Sequence, residues 1–100
     1  MYGLITKIAV VPGRRDEITA ILKESASGMQ GCLSYVVAND SSDPNLIWVT
    51  EVWESQARHE ASLSLPSVRN GMMRAKGAIS AVDRIAVTMP VWGAGLPAAR

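Results

Sequence analysis

The chain contains one histidine, His59, and the residues around it combine types that do chemistry. Glu51-Val52-Trp53 sets a carboxylate and an indole two positions apart, His59 follows six residues after the tryptophan, and Ser62 comes three residues later. An imidazole titrates near neutrality, so it can accept or relay a proton. Arg84, far along the chain, can stabilise a developing phenolate or peroxide; Arg74 is a second candidate for that work. Trp53 and Met72 offer surfaces that suit a flat aromatic ligand, and Ser62 can hold a water or a substrate oxygen.

Each of these residues also has a plainer reading. His59 lies between Arg58 and Glu60, which fits a solvated helix face. Met72 and Met73 form a soft apolar stripe with Val68 and Ala75, which fits core filling. Glu51 and Trp53 share a strand face, and a buried glutamate is costly unless paired. Arg84, central on the last strand, is the natural partner in a structural ion pair.

The elements that must position these groups follow from pattern. Short runs of β-branched and aromatic residues bounded by turn residues predict strands over Tyr2–Val11, Leu33–Asn39, Leu46–Glu54 and Val82–Met89. Pro12-Gly13 ends the first strand, and the NDSSDPN segment joins the second and third as a hairpin. Ile18, Ile21, Leu22 and Ser25 recur at helical spacing, with Asp16 and Glu17 near the positive end of the helix dipole and Gly28 closing the helix. Two shorter helices, near 55–64 and 67–77, are separated by Pro66.

The order strand, helix, strand, strand, two helices, strand is that of an α+β, ferredoxin-like fold, with an antiparallel sheet and helices on one face. Strand parity then raises a question about the other face. Leu4, Ile8 and Val10 oppose Ile5, Ala9 and Val11, while Ile47, Val49 and Trp53 oppose Leu46, Trp48 and Val52, so both faces are apolar. An apolar face of this size predicts association, most simply as a symmetric homodimer with sheets packed face to face. The tail around Trp92 and Leu96 looks extended and apolar, as if to reach the partner. Trp48 and Trp53, five positions apart, must point to opposite faces, so that one can line a cavity under the helices and the other packs in the barrel or dimer core.

Composition narrows the function classes. Ten basic residues against nine acidic ones leave no net field for nucleic acid or an anionic membrane. A small or uncharged ligand is the expected partner. The single cysteine, Cys32, excludes an internal disulfide and a cysteine-based metal cluster and suits a reducing compartment. No leader pattern or membrane span is visible in the N-terminal segment, so a cytoplasmic location is expected.

The segments YGLITKIAVVPGRRDEITAIL, GCLSYVVANDSSDPNLIWVTEVWES and LPSV together resemble the antibiotic biosynthesis monooxygenase domain, including its small quinol monooxygenase-like members. The most specific element is Glu51-Val52-Trp53 followed by Leu65-Pro66. The resemblance implies a domain over residues 1–92 with a tail over 93–100, and a dimeric α+β barrel. It also implies oxygenation of a small quinol or polycyclic phenol by O2 with no cofactor and no metal. Taken with the residue chemistry above, His59 and Arg84 are the expected catalytic residues, and Trp53, where the family match falls, with Glu51, Ser62 and Met72 the expected substrate-binding residues. Ser62 occupies a position where members often carry histidine, and Val49 one where polyketide-oxidising members place asparagine. These departures favour the alternative, a non-catalytic ligand-binding or stress-related dimer of the same fold. The first strand lacks the asparagine of the haem-degrading branch, which disfavours haem degradation.

Overall fold

A computed structural model describes residues 1–97; the last three positions of the expected tail lie outside the described residues. The elements are β1 (Tyr2–Val10), α1 (Arg15–Ser25), β2 (Cys32–Asn39), β3 (Leu46–Trp53), α2 (Gln56–Ser62), α3 (Pro66–Ala75) and β4 (Ile79–Thr88). The four strands form one sheet in the order β2-β3-β1-β4, with every neighbouring pair antiparallel. This is the ferredoxin-like arrangement expected from the element order.

Local sequence explains the boundaries. Gly13 has φ +83°, the left-handed conformation that lets the chain leave β1 after Pro12 and enter α1. Arg14 pairs with Glu17 across the first turn of α1, Nε to Oε2 at 2.6 Å. Ser55 caps α2, its side chain accepting from the Arg58 N–H at 3.2 Å. Pro66 opens α3 in the first turn, where its missing N–H is harmless.

The β2–β3 hairpin is held by its own polar residues. The Asp40 carboxylate accepts from the Ser42 and Asp43 N–H groups at 3.0 and 2.8 Å and from Trp48 Nε1 at 2.8 Å. From α1, Arg15 Nη1 donates to the Asp43 carbonyl at 2.9 Å and so ties the helix to the loop.

The helices cover one sheet face only. Ile8 and Val10 of β1 and Ile47 and Val49 of β3 are buried there against Ile18, Ile21 and Ala75, and Leu4 and Trp53 are buried on the same face. On the opposite face Ile5, Ala9, Leu46, Trp48 and Val52 remain only half-buried and Val36 is exposed. The two tryptophans therefore lie on opposite faces, as parity requires. Trp53 is completely enclosed, while Trp48 is half-buried at the hairpin.

One boundary differs from expectation by three residues: β4 begins at Ile79, not Val82. Ser80 and Ala81 have little intrinsic strand preference. Pairing supplies what propensity does not, since Ile79 registers with Val10 and the Val11 N–H bonds the Ala78 carbonyl at 2.8 Å. The β1–β4 register shifts twice, between Ala9 and Val10 and between Ile5 and Thr6. Such bulges re-aim side chains at a sheet edge, and the second one brings Arg84 directly opposite Thr6.

Candidate functional site

Between the sheet and the helices lies a cavity of about 200 Å³. Its floor is the helix-facing side of the sheet and its roof is the apolar side of α1 and α3, with Ile18, Ile21 and Leu22 facing Val68 and Met72. A polar band crosses the otherwise apolar floor. Arg84 on β4 is opposite Thr6 on β1, Glu51 on β3 lies on the next diagonal, and Tyr35 on β2 is opposite Glu51. All four line the cavity, as do His59 and Ser62 from α2.

His59 is not a solvated helix residue. Only 9% of it is exposed. Its ring meets Trp53 edge-on at a centroid distance of 5.4 Å and an interplanar angle of 66°, and Tyr2 at 5.9 Å and 35°. The reason is geometric: β3 ends at Trp53, the chain reverses at Glu54 and Ser55, and the first turn of α2 folds back over the indole. Burial pushes the His59 pKa below its ordinary value; the Glu51 carboxylate opposes this and the Arg84 guanidinium adds to it, with Glu60 opposing from the same helix. The imidazole is thereby favoured in its neutral, proton-accepting form.

Glu51 is 9% exposed, and its Oε1 accepts from Trp53 Nε1 at 3.0 Å. This corrects the expected ion pair with Arg84, which does not form. The two residues are two strands apart, roughly 10 Å between backbones at the usual strand spacing, and each has a nearer partner. Arg84 Nε donates to Thr6 Oγ1 at 3.0 Å. Among the described residues the ion pairs are Arg14 with Glu17, Arg58 with Glu54, and Arg74 with Glu24. Arg74 is thus engaged outside the cavity, and Arg84 keeps N–H donors for a ligand.

Of the other expected site residues, Met72 lines the cavity from α3 and is more than half exposed, which places it at the mouth. Ser62 lines it too, but its Oγ donates to the His59 carbonyl at 2.6 Å, so its proton is directed to the backbone. Trp53 is not on the cavity surface. It stands behind Glu51 and His59, holding the first by a hydrogen bond and the second by ring contact.

Thr6, Tyr35 and Tyr2 join this cluster without having been expected there. Parity carries the signal for all three, since Thr6 is the one polar residue among Leu4, Ile8 and Val10, Tyr2 precedes them on the same face, and Tyr35 alternates with Val37. Burial, with Glu51 and Cys32 nearby, pushes the Tyr35 phenol well above its ordinary pKa. It remains a neutral donor. Among the described residues no three His, Cys, Asp or Glu side chains converge in a metal-holding group.

Solved structures with this fold agree over nearly the whole chain. A protein of Chloroflexus aurantiacus J-10-fl, named among the antibiotic biosynthesis monooxygenases, is 53% identical, with 96% of this chain and 98% of that one covered and a TM-score of 0.91. A Nitrosomonas europaea structure with the same family name superposes at a TM-score of 0.83 over 92% of this chain and all of the other, at 9% identity. One from Deinococcus radiodurans reaches 0.77 over 93% and 95% of the two chains at 18% identity. At such low identities these two speak for the fold alone. A comparison with curated proteins gives no match. The family model described as antibiotic biosynthesis monooxygenase matches residues 1–74, the span that carries β1 through most of α3 and the Glu51, Trp53, His59 and Ser62 cluster. The chain belongs to the antibiotic biosynthesis monooxygenase family.

Proposed function

We propose that this protein is a monooxygenase for a small quinol or phenol, using O2 directly. The observation that carries the reading is a single one: a neutral, buried imidazole on one wall of an apolar cavity whose other wall presents a guanidinium. His59 takes the proton of a phenolic hydroxyl. The resulting anion is electron-rich enough to reduce O2, forming a carbon–oxygen bond to a ring hydroperoxide. Loss of the ring C–H proton with cleavage of the O–O bond releases water and leaves a ring carbonyl, so a hydroquinone and O2 give a hydroxyquinone and water. Arg84 stabilises the phenolate and peroxide charge. The Tyr35 phenol and Glu51 orient substrate oxygens, Met72 closes over the ring at the mouth, and Trp53 fixes the base. The chemistry calls for no metal or flavin, because the substrate itself supplies the electrons.

The proposed assembly is a homodimer built on the half-buried sheet face, with residues 1–92 as the catalytic domain and the segment from Gly93 as a tail. One half-buried free thiol, Cys32, fits the reducing environment of the cytoplasm. No helix among the described residues is long and apolar enough to cross a membrane.

A second reading, a non-catalytic ligand-binding dimer, is supported by Ser62, whose proton is directed to the backbone, and by the apolar Val49 in the floor. Oxygen uptake with a panel of hydroquinones in the presence of chelator separates the two. Turnover that His59→Ala removes supports the oxygenase. Tight binding with no oxygen uptake supports the binding protein.

A further inference from the structure

At one point the two roof helices pass too close for any side chain between them. Gly71 is buried in the middle of α3, where glycine is disfavoured relative to alanine. Its backbone is helical, so no left-handed turn calls for glycine there. The reason is steric. A Cβ at position 71 would run into Ser25 Oγ of α1 and lie 3.1 Å from Ser25 Cβ and 3.4 Å from Ile21 Cγ2. The hydroxyl cannot simply swing away without loss, because Ser25 Oγ donates to the Ile21 carbonyl at 2.7 Å. Gly71, Ser25 and Ile21 all line the cavity. The missing side chain is what brings α3 down onto α1 and limits the space beneath.

We propose that the Gly71–Ser25 contact sets the size of the ligand this pocket accepts, making Gly71 a specificity-determining residue for aromatic compounds of one ring or two fused rings. A dry apolar cavity of ~150 Å³ takes a benzene-sized guest. The cavity here, about 200 Å³, leaves room for a second fused ring, and Ile21, Ser25 and Gly71 belong to its lining where α1 and α3 touch. A methyl group at position 71 wedges the helices apart at that point. Small ligands then lose contact with the roof, and a third ring gains space. This inference rests on the cavity being the ligand site, as the proposed function holds.

The test is the ratio of dissociation constants for a naphthol and an anthrol, measured by calorimetry without oxygen. The wild-type chain is expected to favour the two-ring compound by about tenfold or more, the scale on which one methylene-sized misfit discriminates in an apolar pocket. Gly71→Ala is expected to shift the ratio toward the three-ring compound by a similar factor. Ser25→Thr adds one methyl to the same contact from α1 while keeping the hydroxyl, and shifts the ratio in the same direction. It decides the matter should Gly71→Ala fail to fold. An unchanged ratio in the folded variants overturns the role of Gly71 and leaves the proposed function standing. If the wild-type chain binds neither compound, the size limit proposed for Gly71 falls, and the oxygen uptake with hydroquinones still decides the proposed function.

Discussion

The Trp53–Glu51 hydrogen bond lends itself to a quantitative test, because both partners are nearly enclosed and each has a named role. Trp53→Phe removes three side-chain atoms from a site with no solvent exposure and takes the donor from Glu51 Oε1. The lost apolar contact costs about 1–2 kcal/mol at roughly 0.8 kcal/mol per buried methylene. Leaving a buried carboxylate oxygen without its donor adds about 1–3 kcal/mol. The sum, about 2–5 kcal/mol, is a large part of the ~5–15 kcal/mol that holds a domain together, and lowers Tm by about 4–8 °C for each kcal/mol.

The bond itself is isolated by a double-mutant cycle with Glu51→Met, followed by urea unfolding and circular dichroism. Once both partners are apolar nothing is left unsatisfied, so the double variant is expected to lose about 1.5–3 kcal/mol less than the two single losses added together, the range for a bond to a charged group. Additivity within about 0.5 kcal/mol would refute the claim that Trp53 holds the carboxylate.

His59→Ala is expected to lower turnover by about 10²-fold, the usual contribution of a general base, while Ser62→Ala changes it less. Because His59 is the chain's only histidine, its proton resonance titrates without ambiguity: the midpoint is expected below the ordinary ~6.5, lower still in Glu51→Gln and higher in Arg84→Gln. A depressed native pKa means that the unfolded chain binds the proton more readily, so this group's stability contribution is full above about pH 6.5 and is lost as pH falls through the native value; urea midpoints that rise on acidification through this window would contradict it. Val52→Asp on the open sheet face is expected to change sedimentation while the monomer stays folded, whereas Val49→Asp, only 3% exposed in the core, unfolds the chain. Burial, with Glu51 nearby, pushes the Cys32 thiol pKa up, so alkylation near neutral pH is expected to be slow in the native protein and fast in urea; equal rates would show that the thiol is not shielded.

The fold was legible in the sequence because its signals are local. The hairpin announces itself in Asp40, Asp43 and Pro44, the helix break in Pro66, and the strand faces in simple alternation. The start of β4 was not legible, since Ser80 and Ala81 have little strand preference of their own and the segment is held by the pairing of Ile79 and Ala81 with β1. The site was legible in its residue types and only partly in its pairings. Glu51, His59 and Arg84 are all brought to one cavity, yet the expected partnership of Glu51 with Arg84 gave way to Trp53 and Thr6. Charge complementarity says which groups attract. Strand order and register decide which of them come within reach.

The same logic explains why the solvated-surface reading of His59 failed. A histidine flanked by arginine and glutamate looks exposed when only its neighbours in sequence are counted. In the fold its nearest aromatic neighbours are Tyr2 and Trp53, one from each of the two central strands. Those two residues are register partners, so the pairing of β1 with β3 builds the seat on which the imidazole, carried by α2, rests. The imidazole is thus positioned by the sheet and carried by a helix of seven residues, in which Ser62 is the other buried position. The alignment of both groups depends on the end of β3, where Trp53 serves both partners at once: its Nε1 orients the carboxylate and its ring edge orients the imidazole. A perturbation at Trp53 must therefore disturb the two groups together, whereas one at His59 leaves the carboxylate in place.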